Sequence, residues 1–211
     1  MKKIRLLIAT TNPGKLEEIT TFLSDVPITP VSLTDLDIKN SVKETGKTFE
    51  ENAVKKARYY AKKSGLPTLA DDGGFEIDAL GGEPGIQSHR WVRGDRESTD
   101  DELIRYTMKR LKGVPLPQRG AQLRLVLALC IRGQVYTTEA HIRGVIPLQP
   151  SPNRTEGFPY RSILYLPELS KFYNAQDFTA EENDVFNHRK RAIEELKPVI
   201  RKLLVPKGSR R

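Results

Sequence analysis

The sequence predicts an α/β protein built on a mixed β-sheet, and three observations carry that expectation. Strand-like apolar runs and helix-like amphipathic segments are intermixed along the chain, beginning with KKIRLLIA and the helical spacing of Leu16, Ile19 and Leu23. The stretch TGKTFEENAVKKARYYAKKSG carries helix start and stop signals at its two ends. Residues 121–144, AQLRLVLALCIRGQVYTTEAHIRG, read as two long strands about Arg132-Gly133-Gln134, which demands an antiparallel hairpin.

Each element follows from local chemistry. KKIRLLIA is a buried strand, and the polar turn TTNPGK after it leads into a helix from Gly14 to Leu23. PITPVSL holds a second short strand. In the next helix Thr48 and Glu51 form a capping box, Ala53, Ala57 and Ala61 share a face, and Gly65 stops it. Pro67 to Ala70 is a brief strand, and DDGGFEIDALGGEPG reads as a glycine-rich loop. Thr99 and Glu102 cap a helix ending near Gly113. After the hairpin, the proline-rich connector IPLQPSPNRTEGFPY leads to a short strand, ILYL. Thr179 and Glu182 start a last helical region through HRKRAIEEL, which Pro198 should kink or break.

The 211 residues suffice for one well-buried core, and no apolar run approaches the roughly 20 residues of a membrane span. The basic and apolar N-terminus is too short in its apolar part for a signal peptide and reads as a strand, so a cytoplasmic location is expected. A single cysteine, Cys130, excludes an internal disulfide framework and every multi-cysteine zinc site, and its apolar surroundings make it a core residue. The formal charge of +8 points to an anionic partner, a phosphorylated small molecule or nucleic acid. Much of that excess lies in RKRAIEELKPVIRKLLVPKGSRR, which also suits a solvated helix face and tail.

Four constellations carry chemistry. TTNPGK stands at a strand-to-helix turn, where backbone N–H groups and the helix dipole favour an anion; Gly14 permits close approach, Lys15 adds charge, and Thr10, Thr11 and Asn12 offer hydrogen bonds. It is not a P-loop, and a helix start without a ligand is the plain alternative. Asp71 and Asp72 follow a strand, whose alternation lets only one of them face a given site; such a carboxylate can hold a hard cation or accept a proton from water, with Glu44 completing the set, although Asp-Asp-Gly-Gly also reads as a simple turn. GFPY at 157–160 could wall a nucleobase or pack at a loop corner. In NHRKR, Asn187 suits a helix N-cap, and a cation such as Arg189 in the first turn is unfavourable unless an anion or electron-rich base sits beside it. His89 and His141 lack metal-ligand spacing and read as structural.

In this order the four pieces resemble the inosine/xanthosine triphosphate pyrophosphatase family, over nearly the whole chain: IATTNPGKLEEI, then the block from Glu44 to Trp91, then GFPYRSILYLPE, then FTAEENDVFNHRKRAI. The resemblance implies an elongated single domain over residues 1–211, two lobes around a long mixed sheet with a central active-site cleft, usually a homodimer. It implies Mg²⁺-dependent hydrolysis of noncanonical purine nucleoside triphosphates (ITP, dITP, XTP) to monophosphate and pyrophosphate, cleansing the nucleotide pool. Thr10, Thr11, Asn12, Pro13, Gly14 and Lys15 would cradle the phosphates, and Lys56 would reach the triphosphate. Glu44 and Asp72 would serve the metal, with Asp72 as the proton acceptor and Gly73 beside it. Phe158, Pro159, Tyr160, Arg161, Lys171, His188 and Arg189 would surround the base.

The chain departs from the family pattern at the base loop, where Gly-Phe-Pro-Tyr-Arg-Ser replaces the usual Gly-Phe-Gly-Tyr-Asp-Pro, so that Pro159 removes a backbone donor and Arg161 reverses a charge. Gly73 and Asn187 replace usual serines, and Lys43 stands beside Glu44. These departures leave open a shifted base preference or a catalytically weak nucleotide binder. A nucleic-acid-binding module is the remaining alternative, resting on charge alone; no partner membrane is expected.

Overall fold

The computed structural model describes residues 4–204. Lys2 and Lys3 of the expected first strand, and the terminal basic tail beyond 204, lie outside the described residues. In chain order the elements are β1 (Ile4–Ile8), α1 (Pro13–Phe22), β2 (Ile28–Ser32), α2 (Phe49–Ser64), β3 (Thr68–Ile77), β4 (Pro84–Gly85) and α3 (Asp100–Arg110). They continue with β5 (Gly120–Ile131), β6 (Gln134–Val145), β7 (Tyr165–Leu166), β8 (Lys171–Phe172), α4 (Ala180–Phe186) and α5 (His188–Leu204). The sheet runs β2-β1-β3-β5-β6-β7-β8, with β4 on β3. β1 pairs in parallel with β2 and β3, while β3–β4, β6–β7 and β7–β8 are antiparallel, so the sheet is mixed as the sequence predicts. Among the described residues no helix is long and apolar enough to cross a membrane.

The chain divides into two compact units. The first comprises residues up to Asp72, Leu125–Ala140 and those from Arg189 onward. Its core packs Leu6, Ile8 and Leu69 with alternate residues of β5 (Leu125, Leu127, Leu129) and one face of α5 (Ala192, Ile193, Leu196, Ile200). The second comprises Gly73–Arg124 and His141–His188, and its core gathers Phe75, Ile77, Leu103, Ile163, Leu166 and Tyr173.

The hairpin turns where expected: Arg132 and Gly133 have φ of 50° and 82°, the two left-handed residues of a tight turn whose twist matches the strands. Cys130 is buried in β5. Thr99 and Thr179 each form a complete capping box with Glu102 and Glu182.

Five expectations are corrected. The Asp-Asp-Gly-Gly loop is strand, because β3 runs on to Ile77, burying Phe75 and Ile77, and Gly73 and Gly74 keep negative-φ backbone there. At α2 the Thr48 hydroxyl accepts from Glu51 N–H, but Glu51 answers Lys47 N–H rather than Thr48, so the box is open at one side. α3 ends at Arg110, before Gly113. The last helical region is two helices, divided at Asn187, whose extended backbone caps the end of α4. Of the kink or break expected at Pro198, the break is absent: α5 runs on to Leu204, although Pro198 cannot donate to the carbonyl of Glu194.

Arg119, buried in the second unit, donates to the carbonyls of Val114 (3.0 Å), Pro147 (3.1 Å) and Leu111 (2.7 Å), closing the C-terminal end of α3. Arg119→Met orphans all three acceptors and should cost about 3 kcal/mol in urea unfolding; an unchanged midpoint would refute the role. Glu102 binds Arg93 through both oxygens and accepts Thr99 N–H, contacts that hold its carboxyl down to about 2. Its folded value lies below its unfolded one, so its stabilisation is full above about pH 4.5 and lost as pH falls toward 2. The stability gap between the parent protein and Glu102→Gln should therefore be constant above that pH and close below it, as followed by thermal unfolding across pH.

Candidate active site

In the first unit, the β1–β3 pairing sets the geometry. Leu7 N–H donates to Pro67 and Ala9 N–H to Leu69, which lays the end of β1 beside the strand bearing Asp71 and Asp72. The chain then turns: Thr10 Oγ1 accepts from Asn12 N–H at 3.1 Å, and Asn12 Oδ1 accepts from Lys15 N–H at 3.1 Å. Asn12 is thus the N-cap of α1, with Pro13 in the first helical position where its missing N–H costs nothing. Thr10 and Asn12 shape the turn with their side chains, Thr11 and Pro13 are exposed, and Gly14 precedes Lys15 in the first helical turn.

Lys15 projects onto β3. Its Nζ lies 2.9 Å from Asp71 Oδ2, and the same oxygen lies 3.5 Å from Arg189 Nη2, supplied by the second residue of α5. Arg189 also pairs with Glu18, one turn beyond Lys15 on α1. Burial alone would push the Asp71 carboxyl up; Lys15, then Arg189 and Lys56, outweigh it and hold Asp71 well below the ordinary carboxylate value.

The neighbouring carboxylate, on the other face of β3, has different company. Lys56 Nζ, from the middle of α2, lies 2.8 Å from both Asp72 Oδ1 and Glu44 Oε1. The segment carrying Glu44 is fastened to α2: Gly46 N–H donates to Asn52 Oδ1 at 2.8 Å and Lys55 Nζ to Thr45 Oγ1 at 2.7 Å. A Cβ on Gly46 would meet Asn52 Oδ1 and Glu51 Cβ at 2.7 Å, so glycine is required for that approach. Burial lowers the affinity of Lys56 for its proton, but Asp72, Asp71 and Glu44 more than reverse this and keep it charged. Burial moves Asp72 up despite Lys56, and Glu44 adds to the rise. Two adjacent aspartates are therefore driven apart, one fixed as an anion and one made more basic.

Glu44 and Asp72 present hard oxygen ligands already focused on one cationic point, occupied by the Lys56 ammonium. No cluster of three or more His, Cys, Asp or Glu side chains exists among the described residues. Two carboxylates supplemented by substrate phosphates is the mode Mg²⁺ uses, so this donor set fits that ion.

In the second unit, Gly157 (φ 75°) turns the chain into a short helical turn, Pro159–Ile163, and its N–H donates to Asp100 Oδ2 at 2.8 Å. Pro159 begins that turn and is buried. Tyr160 stacks on Phe75 with centroids 4.6 Å apart and donates to the Ser88 carbonyl at 2.7 Å, which makes it a core residue. The Arg161 guanidinium is buried 3.7 Å from the Phe158 ring centroid and 5.5 Å from that of Tyr173. Tyr173 Oη lies 2.7 Å from His188 Nδ1, and Lys171 Nζ binds both oxygens of Glu182 at 2.8 Å. Arg161 and His188 thus meet Tyr173 and Phe158 meets Arg161, whereas Lys171 is joined to α4 and Arg189 lies with Lys15. Gly73, next in the chain after Asp72, is an ordinary strand residue. Sequence reasoning weighed Asp71 only as the alternative to Asp72 and gave no role to Glu18; the positive charges of Lys15 and Arg189 were the only signal for their pairing, and nothing local relates them.

Fold and site together define an α/β protein whose first strand-to-helix turn is faced by paired lysine–carboxylate contacts. The chain belongs to the Ham1 family, whose profile matches residues 6–199. It is 40% identical over 194 residues to the dITP/XTP pyrophosphatase of Geobacter sulfurreducens, covering 92% of this chain and 94% of the relative. It is 39% identical over 192 residues to that of Yersinia pseudotuberculosis, covering 90% and 94%. The solved structure of a HAM1 protein from Coxiella burnetii superposes with a TM-score of 0.80 at 31% identity, covering 94% of this chain and 99% of that one.

Lys56 is the cation that lowers Asp72 most. In Lys56→Met the Asp72 carboxyl should titrate at a higher pH than in the parent, read from its side-chain carbonyl carbon by NMR. An unmoved titration would show that the 2.8 Å contact carries no electrostatic weight.

Proposed function

We propose that this protein hydrolyses the triphosphates of deaminated purines, dITP and XTP foremost, to the monophosphate and pyrophosphate. The relatives that match along nearly its whole length carry that activity in their names. The observation that carries the reading on this chain is the separation of Asp71 from Asp72: Lys15 lies 2.9 Å from the first, while Lys56 lies 2.8 Å from both the second and Glu44, which leaves a fixed anion beside a more basic carboxylate.

Lys15 and the start of α1 take phosphoryl oxygens, where the helix dipole and the ammonium favour negative charge. Lys56 adds a second cation at Asp72. Asp72 accepts a proton from water as the water oxygen bonds to phosphorus. The anhydride bond between the α- and β-phosphates breaks, and pyrophosphate leaves with the electron pair of the bridging oxygen. Glu44 and Asp72 would hold Mg²⁺ with the phosphates, and when bound the ion supplies neutralisation of charge building on the phosphoryl oxygens. Phe158, partly exposed beside the buried Arg161 guanidinium, offers a ring face suited to stacking on a purine base, with Tyr173 and His188 packed behind it. We further propose that the enzyme works as a homodimer in the cytoplasm, where such nucleotides arise.

A panel of nucleoside triphosphates with Mg²⁺, scored for released pyrophosphate, tests the reading: dITP and XTP should be turned over ahead of dATP and dGTP. No pyrophosphate from any member of the panel would overturn it. Asp72→Asn should lower kcat about 10²–10⁴-fold while nucleotide binding, followed by calorimetry, persists; full activity in that variant would remove Asp72 as the base.

A further inference from the structure

We propose that Asp71 is a positioning residue for phosphate recognition, a tether that sets Lys15 and Arg189 on a common point. The proposal rests on the triphosphate reading above for its consequence, but on geometry for its substance. One oxygen, Asp71 Oδ2, forms ion pairs with Lys15 Nζ at 2.9 Å and Arg189 Nη2 at 3.5 Å, on a side chain only 3% exposed. The two cations come from unconnected elements, the first turn of α1 and the first turn of α5. A lysine side chain carries large rotamer freedom, about 2 kcal/mol, so an ion pair with Asp71 restricts where its ammonium lies while its three N–H donors stay available.

The same contact answers a question posed by the sequence. A cation in the first turn of α5 opposes the helix dipole and requires an anion nearby. The structure supplies two from within the chain, Asp71 and Glu18. Glu18 stands three residues after Lys15 on α1, so α1, β3 and α5 are clamped by one alternating row: Lys15, Asp71, Arg189, Glu18. Phosphoryl oxygens arriving at Lys15 therefore meet a cation already placed, and its misplacement by about 1 Å costs on the order of 10²-fold in rate.

The opposite expectation is equally definite. If Asp71 were only a negative charge near the phosphate site, removing it would strengthen binding of a polyanion. Asp71→Asn keeps the shape and deletes the charge. Calorimetry with pyrophosphate, the product, gives a readout independent of turnover. The positioning role predicts binding weakened roughly 10-fold or more, a fall of up to about 10²-fold in kcat/KM for dITP, and partial rescue by Asp71→Glu. It further predicts that Asp71→Asn has little added effect on pyrophosphate affinity once Lys15 is Met. Tighter or unchanged pyrophosphate binding in Asp71→Asn, or full additivity with Lys15→Met, overturns it. Should Asp71→Asn not fold, Asp71→Ser takes its place, with unaltered or tighter pyrophosphate affinity counting against the tether. Pyrophosphate binding without dITP turnover in the parent chain would sink the hydrolase reading and leave the tether testable; no pyrophosphate binding by the parent overturns both.

Discussion

The parallel pairing of β1 with β3 is the constraint on which the rest of the site depends. Two residue pairs, Leu7 with Thr68 and Ile8 with Leu69, fix where the first strand ends relative to the aspartates. A slip of one residue would exchange the faces of Asp71 and Asp72. That register is held by apolar burial on both faces, since Leu6, Leu7, Ile8 and Leu69 are all fully buried. Packing thus brings the elements bearing lysine and carboxylate together, and the ion pairs then place the flexible lysine ends.

From that register follows a division of labour between adjacent residues. A strand sends neighbours to opposite faces, so two chemically identical side chains enter two environments. On one face two cations converge on Asp71; on the other, a single lysine is shared between Asp72 and Glu44. Both carboxylates are desolvated, and the difference in their basicity comes from how much positive charge surrounds each. A buried carboxylate that is less stabilised as an anion is the better proton acceptor, the property that the proposed hydrolysis asks of Asp72.

Local signals in the sequence revealed the elements whose ends are fixed by side-chain chemistry. Thr99 and Thr179 capped their helices, Gly65 ended α2 in a left-handed turn, and Arg132-Gly133 closed the hairpin. The continuation of β3 through Gly73-Gly74 was hidden, because two glycines speak locally for a turn, whereas the buried flanks at Phe75 and Ile77 speak for a strand only once a sheet surrounds them. The start of α5 after Asn187 was legible as a helix N-cap, whereas the passage of α5 through Pro198 runs against local propensity. For the site, Lys15, Lys56, Glu44 and Asp72 stood in recognisable strings. Asp71 and Glu18 stood in the same strings, but their pairing with Arg189 was hidden, because Arg189 is far away along the chain, 171 residues from Glu18.

The central claim is that the turn after β1 grips polyphosphate beside Asp72. Its most direct test is a crystal structure of the protein with Mg²⁺ and a dITP analogue in which nitrogen replaces the oxygen bridging the α- and β-phosphates. The account predicts phosphoryl oxygens within hydrogen-bond distance of Lys15 Nζ and of the first-turn amides of α1, with Asp72 facing the α-phosphorus. An analogue seated with its phosphates away from Lys15 would contradict it.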